Sequence, residues 1–96
     1  MKNLQNNDLI GKVVLSKAGR DKNNLYVIVR QINEDYVLLA NGNTKSIKVP
    51  KKKKLKHLNI LEYSDDEIIS SIKSCDKSTD LKIKRFLKLK GIVKEG

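Results

Sequence analysis

Two stretches of this sequence carry side chains able to grip an anion. The first is Ser16-Lys17-Ala18-Gly19-Arg20-Asp21-Lys22-Asn23-Asn24, a polar turn in which three of nine residues (Lys17, Arg20, Lys22) are cationic. The second is Pro50-Lys51-Lys52-Lys53-Lys54-Leu55-Lys56-His57, which places five lysines in seven positions after the proline. Cations at this density engage phosphates and release their counterions, each contact steepening the log–log salt dependence by about 0.7 to 0.9. Lysines act as point charges, so Lys51, Lys52, Lys53, Lys54 and Lys56 would supply affinity with little base discrimination. Arg20 suits a geometrically defined contact, bidentate to a phosphate or a base edge. His57 reads as a surface or stacking residue.

Catalysis has less to work with. There is one His and one Cys, in segments of different type, with no third group to orient them. Cys75 falls in helical register with Ile68 and Ile72 and reads as a small core residue. Asp65, Asp66 and Glu67 sit at a helix start, where the dipole accounts for them without a metal. No glycine-rich nucleotide loop or paired metal ligands occur, so no enzyme and no cofactor are expected.

Charge follows the segments. The net charge of +10 comes from 21 Lys and Arg against 11 Asp and Glu. Residues 1–43 carry +2, residues 44–61 carry +7 with no acid, residues 62–80 carry −4 and residues 81–96 carry +5. Lysine outnumbers arginine 18 to 3. Compositional drift accounts for that preference, but not for the excess of cations over anions. A basic domain attracts polyanions at long range, which points to nucleic acid. The single cysteine rules out an intrachain disulfide and suits a reducing compartment. With no apolar run long enough to span a bilayer and no signal-like apolar segment at the start, a cytoplasmic protein is expected.

The elements that must position these residues follow from periodicity. Residues 1–8 are polar and aperiodic and read as a loose tail. Residues 12–16 and 25–31 are β-branched strands flanking the first basic turn, and Gly19 can take the positive φ that the turn needs. The second strand sets Leu25, Val27 and Val29 on one face and Tyr26, Ile28 and Arg30 on the other. Asn33-Glu34-Asp35 turns into a third strand at 36–40. Asn41-Gly42 then reads as a type I′ hairpin leading to a fourth strand at 44–49, with Ile47 and Val49 inward. Pro50 ends that pairing or lies on an edge, and the lysine run connects to a fifth strand within 55–61 that closes on the first.

Five short strands in about 50 residues argue for a small closed barrel, because closure removes exposed edges. The period then changes. Ser64-Asp65-Asp66-Glu67 has the form of a capping box ahead of an amphipathic helix over 65–75. Ser78, Thr79 and Asp80 are N-cap candidates for a second helix over 81–90, stopped by Gly91. A single bent helix over 65–90 is the alternative. The organisation is thus a tail (1–8), a barrel (9–61) and a helical extension (62–96).

Gly11-Lys12-Val13-Val14-Leu15-Ser16-Lys17-Ala18-Gly19-Arg20-Asp21-Lys22, with the apolar strand 25–29, resembles a KOW motif, the characteristic glycine falling on Gly19. With the lysine run added, residues 9–61 look like bacterial KOW-domain RNA-binding proteins. Those are similar to the eukaryotic-type ribosomal large-subunit proteins fourteen-e, six-e and twenty-seven-e. KOW units also occur in transcription elongation factors. Many relatives have a second glycine just after the Lys, where this chain has Asn23-Asn24; Asn tolerates the left-handed conformation. The resemblance implies an SH3-like barrel that binds RNA, commonly ribosomal, through the hairpin loop and nearby basic residues.

The leading expectation is therefore a non-catalytic RNA-binding protein of mainly β fold, a five-stranded SH3-like barrel with a C-terminal helical extension. Its contacts would be Lys17, Gly19, Arg20 and Lys22 in the loop, and Lys51 to Lys54, Lys56 and His57 along the flank. The alternative is a protein-interaction module whose Ile68/Ile72 helix face docks a ribosome- or polymerase-associated partner. A basic amphipathic helix on an anionic membrane, using Phe86, Leu87 and Leu89, is weaker than packing of those residues onto the barrel.

Overall fold

The computed structural model describes residues 9–20, 22–61 and 63–95, the last six as backbone alone; the expected tail, residues 1–8, lies outside the described residues. Strands β1 (Val13–Ser16), β2 (Leu25–Gln31), β3 (Tyr36–Ala40), β4 (Lys51–Lys54) and β5 (Leu58–Ile60) precede helices α1 (Asp66–Ser74) and α2 (Thr79–Glu95). The strands form one antiparallel sheet in the order β4-β3-β2-β1-β5. The protein is mainly β with a helical C-terminal part. The ladder is open: among the described residues β4 and β5 do not pair, and a 3-10 turn at Leu55–His57 carries the chain from one to the other.

Strand alternation builds two cores on the two faces of this sheet. One face contributes Val13, Val27 and Ala40, which are covered by Ile68 of α1 and by Ile83 and Leu87 of α2. The other contributes Val14, Tyr26, Ile28, Val37, Leu39 and Leu58, with Leu9, Leu55 and Ile60 against them. Among the described residues, none of α1 or α2 belongs to this second cluster. The expected facing of β2 holds for Leu25, Val27 and Val29, which meet the helices, and for Tyr26 and Ile28, which enter the second cluster. It is corrected for Arg30, whose pairing with Leu38 puts it on the helix-bearing face. A register shift between Ile28 and Arg30 bends the strand there.

The expected fourth strand at 44–49 is corrected: β4 is the lysine run itself, and 41–50 is a loop. Side-chain acceptors, local ones and one from α2, take the amides that a ladder would have used. The Asn41 carboxamide accepts from the Asn43 and Lys45 N–H groups at 2.9 Å each. Asp80 Oδ1 accepts from Ile47 N–H at 2.9 Å, and Ser46 Oγ from Val49 N–H at 3.1 Å. Nor is Asn41-Gly42 a type I′ turn. That turn needs positive φ at both residues, and of the two only Gly42 has it, at +77°. Ile47 is half-buried against the helices as expected, but Val49 is 72 % exposed.

Helix boundaries also move. Asp65, not Ser64, caps α1, its Oδ1 accepting from Glu67 N–H at 2.8 Å and Ile68 N–H at 3.4 Å. Cys75 is exposed rather than in the core, because the helix ends on it in the left-handed conformation (φ 57°) and so breaks its register with Ile72. Two helices form, not one bent one, and Gly91 does not stop the second, which runs to Glu95. A glycine inside a helix costs only about 1 kcal/mol relative to Ala.

The turn between the helices is tied internally. Thr79, fully buried, donates its hydroxyl to the carbonyls of Asp76 (2.7 Å) and Ser71 (3.1 Å). Lys82 Nζ donates to Ser71 Oγ at 2.9 Å and pairs with Glu67 at 3.2 Å. The backbone N–H and hydroxyl of Ser78 donate to Asp76 Oδ1, both at 2.9 Å, and hold its carboxyl below the usual value. A lowered folded-state pKa means this contribution is complete above the unfolded-state value and is lost as pH falls through the folded one.

The start of α2 is seated on Gly42. A β-carbon there would overlap the Asp80 carbonyl and crowd the Lys84 backbone nitrogen. Gly42→Ala is therefore expected to destabilise the fold by at least about 2 kcal/mol, from the left-handed backbone and the overlap together. Urea unfolding followed by circular dichroism measures it, and wild-type stability would refute the seating.

Candidate nucleic-acid interface

The first basic stretch folds as a hairpin loop between β1 and β2. Fully buried Ser16 closes its base: its N–H donates to the Asn24 carbonyl at 3.0 Å, and its carbonyl accepts from Asn23 N–H at 2.8 Å. Among the described residues of the loop, Gly19 at φ 84° and Asn23 at φ 74° take the left-handed backbone that reverses the chain. Asn23 thus supplies the conformation for which a second glycine would otherwise serve. Lys22 N–H donates to the Gly19 carbonyl at 3.2 Å, closing the tip. Lys17, Arg20 and Lys22 are all exposed.

Hydrogen bonds join this loop to the second stretch. Lys17 N–H donates to the His57 carbonyl at 2.9 Å, and Lys53 Nζ donates to the Ala18 carbonyl at 3.0 Å. The loop, Lys53 and the 3-10 turn bearing Lys56 and His57 therefore lie side by side. Lys56 is exposed and His57 half-buried.

The lysine run is not a solvated connection but a strand, and this splits it. β4 pairs with β3 through Tyr36↔Lys54, Val37↔Lys53, Leu38↔Lys52 and Leu39↔Lys51. Lys51 and Lys53 share the face of Val37 and Leu39, over the second cluster. Lysine stems on such a face can cover apolar surface while their ammonium groups stay at its rim. Lys52 and Lys54 share the opposite face with Tyr36, their Nζ atoms 4.7 and 5.7 Å from its ring centroid. The expected cations thus form two surfaces that meet along β4, rather than one.

Sequence reading missed Tyr36 and Arg30, which stands on the Lys52 side through the Arg30↔Leu38 pair. Recognising the lysines as a strand would have placed Tyr36 by alternation, whereas Arg30 reaches this side only through the register shift after Ile28, which alternation does not show. A cavity of about 260 Å³ lies between Glu34, Asp35, Lys54, Leu55 and Lys56. Its two carboxylates make it a poor phosphate site. Among the described residues no group of three or more His, Cys, Asp or Glu could hold a metal ion. The helix face considered for partner docking is packed on the sheet, with Ile68 buried and Ile72 against the same cluster. Phe86 and Leu87 of α2 are packed there too, whereas Leu89 is 63 % exposed. Among the described residues no helix is long and apolar enough to cross a membrane.

Lys53→Met keeps the stem and removes the donor to Ala18. It is expected to cost about 0.5–1.5 kcal/mol and to speed amide exchange at Lys22 and Asn23. Unchanged exchange at both amides would show that the loop holds itself without β4.

No protein-family model matches this chain, and no curated protein matches it in sequence.

Proposed function

We propose that this is a non-catalytic RNA-binding protein of the KOW type, working in the cytoplasm on structured RNA of the ribosome. The observation that carries the proposal is the Lys53–Ala18 bond, which ties the loop of Lys17, Arg20 and Lys22 to the lysine strand. The loop and the Lys51/Lys53 side of the strand thereby become one surface, and fixed placement lets phosphate contacts set register. Residues 44–61, with seven lysines and no acid, supply most of the attraction. Arg20, exposed at the tip, supplies the contact with fixed geometry.

The reading includes an SH3-like barrel. A sheet that buries a cluster to which, among the described residues, α1 and α2 add nothing is expected to curl around it. A 3-10 turn linking β4 to β5 suits that curl. Both large apolar faces are then committed to cores, which leaves edges and loops for recognition. The lone free cysteine accords with a reducing compartment.

Filter binding with a ribosomal RNA fragment tests the loop. Arg20→Glu with Lys22→Glu is expected to weaken binding more than tenfold, and to lower the log–log salt slope by about 1.4 to 1.8. Lys77→Glu with Lys88→Glu, both exposed on the helical part, should fall far less. Equal losses in the two variants would mean general charge attraction and refute a loop-centred interface.

A further inference from the structure

The sheet face that carries α1 and α2 is not wholly covered by them. Beyond the helices it presents Arg30, Tyr36 and Leu38, with Lys52 and Lys54 beside them on β4. At its inner end a groove of about 360 Å³ lies between this face, the 41–50 loop and the end of α1. Val29, Leu38, Ile47 and Ile72 give the groove apolar walls, while Arg30 and Lys48 line it as exposed cations. Its lining holds no carboxylate among the described residues. The volume falls within the range of about 300–1,000 Å³ that small-ligand sites occupy.

Apolar walls with a purely cationic rim complement a ligand that joins a flat, weakly polar body to a negative charge. A nucleotide has that form: a base for Leu38 and Ile72, and a phosphate for Arg30 and Lys48. Tyr36 adds an aromatic ring beside the groove, with Lys52 Nζ at 4.7 Å and Lys54 Nζ at 5.7 Å from its centroid. Exposed cation–π contacts are weaker than base stacking, so an arriving base displaces the ammonium groups onto its own phosphates. An aromatic platform flanked by cations is how single strands are held, whereas a duplex keeps its bases stacked inside. An acidic peptide would use the same cations but gain nothing from the ring.

We infer that this face binds an unpaired segment of RNA, with one base in the groove, a second on Tyr36, and phosphates along Arg30, Lys48, Lys52 and Lys54. The inference rests on the RNA-binding reading and adds a second surface to it, across β4 from the Lys53 side where the hairpin loop is anchored. A chain with its loop on a structured region could then hold an adjoining unpaired stretch.

Fluorescence anisotropy with labelled polyuridine and with a blunt RNA duplex of equal length tests it, across a salt series. Tyr36→Ala is expected to weaken polyuridine binding about tenfold and to leave the duplex unaffected. Arg30→Gln with Lys48→Gln, both at exposed positions, is expected to lower the polyuridine salt slope by about 1.4. Should Tyr36→Ala unfold by circular dichroism, the double glutamine variant decides. Unchanged polyuridine binding in these variants, while Arg20→Glu with Lys22→Glu still weakens RNA binding, overturns this inference and leaves the loop reading intact. Failure of the unaltered protein to bind either RNA overturns both. Capture of labelled polyglutamate, lost in the double glutamine variant with RNA binding unaffected, overturns the inference in favour of an acidic protein partner.

Discussion

The antiparallel register of β3 against β4 decides what this protein presents to its surroundings. Four consecutive lysines in a loop could all turn toward one ligand, but in a strand they cannot. Pairing Val37 with Lys53 and Tyr36 with Lys54 sends successive ammonium groups to opposite sides of the sheet. The same pairing explains why so polar a strand forms at all. β4 is an outer strand with a ladder on one side only, and its lysine stems can cover apolar atoms while their charges stay wet. Lysines on an outer strand also discourage a second chain from adding to it.

The rest of the molecule conforms to that arrangement. A sheet with a buried apolar cluster on each face has no broad apolar surface to spare: α1 and α2 pack on one cluster, and the other gathers strand residues with Leu9 and Leu55. What remains are hairpin tips, the outer strand, and the margin of the helix-bearing face that the helices do not reach. Cations occupy all three: Lys17, Arg20 and Lys22 at a tip, Lys51 to Lys54 on the strand, Arg30 and Lys48 at the margin. The acidic α1 start, with Asp65 as its cap, belongs to the helix rather than to these surfaces. Charge is thus sorted by the fold, not merely accumulated along the chain.

Much of this was legible in the residue order, and the exceptions share a cause. Strands β1, β2 and β3 announced themselves by β-branched runs, and Gly19 by the need for a positive φ. Asn23 was legible as a residue able to replace a glycine, and it does. The misplaced fourth strand was not legible, because alternation at 44–49 was a genuine local signal overridden by side-chain acceptors, one of them distant. Asp80, thirty-three positions away, takes the Ile47 amide, and no local pattern contains that bond. Four lysines, conversely, carry no strand signal of their own and become a strand only because β3 offers an edge. Cys75 was misread for a simpler reason: helical register assigns a face only while the helix continues, and it ends at that residue.

Anchoring the loop to the strand has an energetic consequence as well as a geometric one. Holding like charges together costs stability in the free protein, more so at low salt, where screening is weak. Lys53 offsets part of this cost by donating to a carbonyl, and Lys52 and Lys54 by lying near the Tyr36 ring. Neither device neutralises a charge. A polyanion does, and any ligand that binds the folded form alone shifts the folding equilibrium in its favour. The arrangement that makes this small domain costly to hold together is therefore the one through which the proposed RNA would stabilise it most. A lysine run left as a free loop would relax away from its own repulsion and forgo that coupling.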